Sequence, residues 1–302
     1  MEEPTLSRLL TWSSVVVVLL SAPVYGDVAK PQADSLAVHV QLPKSSFFIG
    51  EYAPLDVFLV NTTSRTLQVP FYWSYHWHLQ LECRNSQRQL VPPFARSTKE
   101  LFGPEPTQPL LPNDSLCWSL NLASDFGSPI PDGIELFTQP TGTYTVATIF
   151  ADRVSSTICS YSVEEPEGAD AAVLRQLKEI GSKYDIQRVI AAVDQLESLV
   201  NLNSNSIYSP QILLILQHTH NTIRTRNYAK VEEYGRRLIE EYPDSYEVEF
   251  AFDGLIQVMK REAWFTYLTE VESTKAGTRA AHRAHELSKG VGLHPIDLGG
   301  GK

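Results

Sequence analysis

Apolar and polar residues alternate along much of the first half of the chain. Leu36, Val38, Val40 and Leu42 share one parity, as do Leu55, Val57 and Leu59, and Leu116, Trp118, Leu120 and Leu122. The same period of two runs through His76–Cys83 and Tyr144–Phe150. Successive side chains of a strand project to opposite faces, so each segment predicts a strand with one buried face. Pro43, Gly50, Asn61, Pro92-Pro93, Pro112-Asn113-Asp114 and Gly142 punctuate them with residues that favour turns. Roughly seven short strands at this spacing predict an antiparallel β-sandwich over residues 27–164, each strand burying its apolar face against a second sheet.

Glu164-Glu165-Pro166-Glu167-Gly168 ends the alternation. Residues 165–168 are expected to be an exposed linker between two separately cored units, because the glutamates at 164, 165 and 167 and the proline between them enter a core only at high cost. Beyond it the period becomes helical. Ile186, Val189, Ile190, Val193, Leu196, Leu199 and Val200 fall on one helical face. Ser209-Pro210 reads as an N-cap followed by proline at the first helical position, and Ile212–Leu216 is apolar all round, which predicts a central helix. Asp244 with Glu247 fits a capping box before Val248, Phe252, Leu255 and Met259. Further helices are expected near 262–274 and 278–289. Helices joined by short turns predict stacked antiparallel hairpins over residues 169–290, with 291–302 as a flexible tail.

Two resemblances sharpen this picture. The stretch Leu42-Pro43…Phe48-Ile49-Gly50-Glu51-Tyr52-Ala53-Pro54-Leu55…Val60-Asn61-Thr62-Thr63 resembles the first strands of bacterial exported immunoglobulin-like domains. Thr138-Gln139-Pro140-Thr141-Gly142-Thr143-Tyr144-Thr145-Val146 is similar to a later strand of the same domains. The resemblance implies an immunoglobulin-like β-sandwich with a corner contact made by Tyr144. It marks a fold rather than an activity, and small bacterial proteinase inhibitors share the pattern. The stretch Asn227-Tyr228 through Leu238-Ile239-Glu240-Glu241-Tyr242-Pro243-Asp244-Ser245 resembles a single tetratricopeptide-type repeat, with Tyr228, Leu238 and Tyr242 packing one hairpin on the next. Gly235 stands where a large residue is more common in such repeats.

The N-terminus predicts export. Arg8 precedes the apolar run Leu9–Leu20, and Ser21-Ala22-Pro23-Val24-Tyr25-Gly26 supplies a small-residue exit, so residues 1–26 read as a signal peptide cleaved before Asp27. The run is short for a bilayer span, so no transmembrane span is expected in the mature protein. Charge excludes one class of partner. Residues 27–164 carry 13 acids and 8 bases, and residues 165–302 carry 20 acids and 16 bases, so neither part has the basic footprint that nucleic acid requires. Cys83 shares the apolar parity of Leu79 and Leu81, and Cys159 that of Tyr161 and Val163, whereas Cys117 is expected to point outward. No disulfide follows from this arrangement.

Candidate chemistry is sparse. His76 and His78, two apart on a strand, project from one face and have the spacing of two metal ligands, but no third ligand can be placed beside them. Tyr72 and Trp73 lie in the aromatic run Phe71–Trp77, a platform for a peptide or glycan if exposed. Tyr228 and Tyr234 are the corresponding interaction candidates on the helices. The proline-rich segment Val91–Pro112 is either a recognition loop or a stiff crossover. Asn61-Thr62-Thr63 and Asn113-Asp114-Ser115 are glycosylation sequons. The chain has no nucleophile elbow, phosphate loop or H-E-x-x-H motif, so no catalytic residue and no cofactor are assigned. The leading expectation is an exported, non-enzymatic protein-binding or scaffolding protein of the periplasm, cell envelope or extracellular space, with a protein partner and a glycan as the second ligand class. Two other classes stay open: a proteinase inhibitor acting through the β-sandwich, and a metal-dependent enzyme using His76 and His78.

Overall fold

Turn residues divide the first part of the chain into short strands, and the computed structural model places them as follows. It describes residues 36–70, 79–93, 107–126, 128–129, 137–150, 154–155, 158–181, 191–221 and 226–289. The strands are β1 (Leu36–Gln41), β2 (Ser46–Phe48), β3 (Pro54–Asn61), β4 (Leu67–Pro70), β5 (Leu79–Asn85), β6 (Leu90–Val91), β7 (Thr107–Leu110) and β8 (Ser115–Asn121). A short helix α1 (Leu122–Phe126) precedes β9 (Ser128–Pro129), β10 (Phe137–Thr138), β11 (Gly142–Phe150), β12 (Val154–Ser155) and β13 (Cys159–Glu164). One sheet has the order β1-β3-β8; a larger one runs β2-β13-β11-β5-β6 with β12 on β11; β4-β7 and β9-β10 form small ribbons. Pairing is antiparallel except between β13 and β2.

Alternation decides the core. Leu55, Val57 and Leu59 of β3 are fully buried and meet Val146 and Tyr161 of the larger sheet in one apolar cluster. Cys83 and Tyr161 face inward there, and their side chains approach to 3.6 Å. Tyr144 donates to the Pro140 carbonyl at 2.7 Å, the corner contact its position predicts. Asn61 also points inward. Its amide donates to the Arg65 and Leu110 carbonyls at 2.8 and 2.9 Å and accepts from the Thr63 amide and hydroxyl, so every capacity of this buried side chain is used. The Asn61 sequon is therefore closed in the fold, whereas Asn113 sits exposed in a turn with φ +59°.

Seven helices follow among the described residues: α2 (Gly168–Gly181), α3 (Val193–Leu202), α4 (Ser209–Asn221), α5 (Tyr228–Glu241), α6 (Val248–Val258), α7 (Arg261–Thr274) and α8 (Arg279–Ser288). No helix of the described residues is long and apolar enough to cross a membrane. As its all-round apolar sequence predicts, α4 is central: Ile212, Leu213, Leu214 and Leu216 are all buried. Tyr242 reaches back to the Ser204 carbonyl at 2.5 Å. The capping box expected of Asp244 and Glu247 does not form. Asp244 accepts instead from the Arg279 amide at 3.4 Å and so helps start α8, while Glu247 is buried beside the N-terminus of α6.

Gly235, in the middle of α5, has a physical reason to be small. A Cβ there would collide with the Gln217 amide and come within 2.9 Å of Leu255; one at Gly254 would lie 2.5 Å from Gln217 Nε2. Gln217 of α4 is thus wedged between two glycines on α5 and α6, and donates to the Ala251 carbonyl at 3.0 Å and the Val231 carbonyl at 3.4 Å.

The described strands and helices cluster as one compact unit, in which the strand-rich and helical parts share contacts along a seam. The fully buried Tyr208 donates from its hydroxyl to the Ile49 carbonyl at 2.6 Å. Tyr52 packs edge-on against Tyr246 with ring centroids 5.4 Å apart. In the Glu164–Gly168 stretch, Glu164 accepts from Ser46 and Ser162, Pro166 is buried, and Glu165 and Glu167 are exposed.

Candidate functional site

The densest polar arrangement among the described residues lies where α8 meets the outer face of the β1-β3-β8 sheet. Across that sheet Asp56 pairs with Ser119 and Phe58 with Cys117, so these four side chains sit on the face away from the strand core. Thr278 caps α8, its hydroxyl accepting from the Ala281 amide at 3.3 Å, and Arg279 then opens the helix directly over the sheet. The Arg279 guanidinium grips Asp56 with two bonds of 2.7 and 2.8 Å and reaches Glu249 at 2.9 Å and Ser119 at 2.6 Å. The Ser119 hydroxyl also bridges the Asp56 and Glu249 carboxylates. Burial opposes the charge on Arg279, but the bonds and charges of Asp56 and Glu249 outweigh it and raise its pKa.

One feature of this arrangement departs from what the sequence predicts. Cys117 does point away from the strand core, but it is only partly exposed, and Asp56 of β3, Glu249 of α6 and Arg279 and Glu286 of α8 lie close to it. Burial, reinforced by Asp56, Glu286 and Glu249, pushes its thiol far up, away from the reactive thiolate. Burial likewise raises the thiols of Cys83 and Cys159, and all three cysteines are unpaired.

A second cluster lies between α3, α4 and α5. The Tyr234 hydroxyl donates to Glu197, Lys230 contacts Glu197 and Glu233 at 3.4 and 3.2 Å, and the His220 ring stacks on Tyr234 at 5.7 Å. Burial and then the Glu197 bond push the Tyr234 phenol up to about 12. Burial pushes His220 down, and among the described residues neither of its ring nitrogens has a hydrogen-bond partner.

The sequence candidates fare unequally. Tyr72, Trp73, His76 and His78 lie outside the described residues, as does most of the Val91–Pro112 segment. Tyr228 is exposed at 51%, together with Phe265 and Phe250 at 36% each. Tyr234 is 2% exposed, so its ring packs inside the helices and offers no surface to a partner. Its helical spacing from Val231 and Leu238, both buried, is the signal that places it inward. Among the described residues no group of three or more His, Cys, Asp or Glu is placed to hold a metal ion. A cleft beside the β2–β3 turn, lined by Phe47, Ile49, Glu51, Ala123 and Gln139, has a volume of about 10 Å³, room for one water.

No protein-family model matches the chain, and no curated protein matches it. Solved structures match over 43% of it. They include the β-glucosidase EmGH1 from Erythrobacter marinus, at 16% identity over 15% of that chain with a TM-score of 0.27. Another is the alkylpurine DNA glycosylase AlkC from Pseudomonas fluorescens, at 9% identity over 30% of that chain and a TM-score of 0.27. A third is the CARDB domain of the PF1109 protein from Pyrococcus furiosus, at 12% identity over 87% of that chain and a TM-score of 0.23. The chain spans less than a third of the first two. Likenesses at these TM-scores carry no argument about fold or function.

Proposed function

We propose that this chain is an exported, non-enzymatic binding or scaffolding protein of the periplasm, cell envelope or extracellular space. In this reading an immunoglobulin-like β-sandwich is fixed to a tetratricopeptide-like helical array that presents its outer helices to a protein partner. The observation that carries the reading is the division of labour within the helices. The central α4 is covered on nearly every side, while α5, α6 and α7 carry the exposed aromatics Tyr228, Phe250 and Phe265. Exposed aromatic anchors on a rigid helical frame are the usual basis of protein recognition. The immunoglobulin-like half of the reading rests on the strand motifs and on the Tyr144–Pro140 contact. The raised thiols and the saturated Arg279 favour a binding role over a catalytic one, since a nucleophile or anion-binding cation needs the opposite environment.

The test begins with the mature protein, whose N-terminus by mass spectrometry is expected near Asp27. Tagged mature protein is then used to capture partners from the native envelope fraction beside a Tyr228→Ala/Phe265→Ala variant of equal thermal stability. A partner retained by the first and reduced at least tenfold with the second is expected, a loss of about 1.4 kcal/mol. Equal capture by both removes the helical surface from the account. Robust substrate turnover, abolished by one polar substitution, overturns the non-enzymatic reading.

A further inference from the structure

A buried hydroxyl normally finds a hydrogen-bond partner, and one on α7 does not. Tyr267 is 4% exposed, and its hydroxyl has no partner among the described residues. It lies between α5 and α7. The Arg236 guanidinium of α5 rests over the Tyr267 ring at 4.2 Å, and Lys275, which caps α7, donates from its ammonium to the Glu240 carbonyl of α5 at 3.1 Å. These two contacts set the helices side by side and parallel, so the turn after Arg236 runs beside the turn after Tyr267. Residues three or four apart are neighbours on a helix, so Glu240 stands one turn beyond Arg236 and Glu270 one turn beyond Tyr267. Both glutamates are exposed, and neither carboxylate is in an ion pair among the described residues. The bases beside them are committed: Arg236 to Glu232 at 2.9 Å, and Lys275 to the backbone.

We propose that the groove between α5 and α7 takes an arginine side chain of a protein partner, its guanidinium bridging Glu240 and Glu270 beside the Tyr267 hydroxyl. This rests on the binding role given above and names the partner's chemistry. A guanidinium presents its donors in a planar fork that two carboxylates can share, which a compact ammonium does not match. Drawn together by that cation, the carboxylates come within reach of the phenol, which then gains the acceptor it lacks in the free protein. Burial raises the phenol's pKa, so it stays protonated and able to donate. A metal ion fits less well, since two carboxylates fall short of its usual donor set and no larger cluster forms among the described residues. The exposed aromatics Tyr228 and Phe265 lie near the N-terminal ends of the same two helices, so the acidic groove continues the surface already assigned to a partner.

The mature protein is titrated with the peptide acetyl-Gly-Arg-Gly-amide and with the same peptide carrying citrulline, a neutral isostere of arginine, while the backbone amide resonances of α5 and α7 are followed by NMR. Saturable shifts are expected with the arginine peptide, and binding of the citrulline peptide should be at least about fivefold weaker. Glu240→Gln/Glu270→Gln should weaken arginine binding by a similar factor and leave the thermal midpoint nearly unchanged, since both residues are exposed. Tyr267→Phe should weaken it about threefold without lowering the midpoint, because the hydroxyl has no partner to lose in the free protein. Shifts that do not saturate, equal binding of the two peptides, or binding unchanged in the double glutamine variant each overturn the proposal. Should a variant fail to fold, the citrulline comparison on the wild type decides. Partner capture separates this site from the wider reading. A partner lost with Tyr228→Ala/Phe265→Ala but retained in full by Glu240→Gln/Glu270→Gln overturns the arginine site and leaves the binding role standing. A partner lost with the glutamine variant alone supports the site and removes only the aromatic anchors.

Discussion

Arg279→Ala is expected to cost about 3–5 kcal/mol of folding stability, the usual penalty for removing one partner of a buried ion pair. The loss does not come mainly from a missing attraction. It comes from Asp56 and Glu249, whose side chains are 15% and 14% exposed and would be left facing each other across Ser119 without a cation. Arg279→Lys should recover only part, because a single ammonium cannot reproduce the two-bond grip on Asp56 together with the Glu249 contact. A triple variant, Arg279→Met with Asp56→Asn and Glu249→Gln, should recover most of the loss, since it removes the charges together. Urea denaturation of the four proteins measures this. Equal losses in the single and triple variants would mean that packing of the arginine stem, and not charge compensation, holds the seam.

The second large effect is expected inside the helices. Gly254→Ala and Gly235→Ala should each destabilise by about 2–3 kcal/mol even though alanine is the better helix former by about 1 kcal/mol. The added methyl would occupy the place of the Gln217 amide, 2.5 Å from its nitrogen in the Gly254 case. Displacing that amide breaks its bond to the Ala251 carbonyl and leaves buried polar groups unpaired. Shortening the wedge should relieve the collision. Gln217→Ala is expected to be harmful alone but to cost at least about 1 kcal/mol less in the Gly254→Ala background. Strict additivity of the two substitutions would show that the glycine matters for backbone freedom and not for the close approach of Gln217.

Much of this architecture is legible in the sequence, and the residues say where legibility stops. Period-two alternation locates β1, β3, β8 and β11 because one face of each is apolar. The all-round apolar run in α4 correctly marks the central helix. The seam was harder to read. Its signal was present in Leu55-Asp56-Val57-Phe58-Leu59-Val60, where Phe58 and Val60 make the outer face apolar as well, as expected of a strand covered on both sides. Cys117 and Ser119, small and uncharged on the outer parity of β8, point the same way. What covers that face is a partner more than 200 residues away, Arg279, and no local pattern names it. The same limit applies to Asp244. Its spacing from Glu247 fits a capping box, but the approach of α8 offers it the Arg279 amide instead. Gly235 was visible as an anomaly in a repeat-like helix, but its cause lies in Gln217 on the preceding helix.

The central claim is that the strand-rich and helical parts fold as one unit, tied by Arg279 to Asp56, Tyr208 to Ile49 and Tyr246 to Tyr52. Scanning calorimetry of the mature wild-type protein near pH 6 tests it most directly. One transition is predicted, with calorimetric and van't Hoff enthalpies equal, and it should coincide whether followed by helical circular dichroism or by exchange of the strand amides. Two resolved transitions, with the helices melting while the strand amides stay protected, would contradict it.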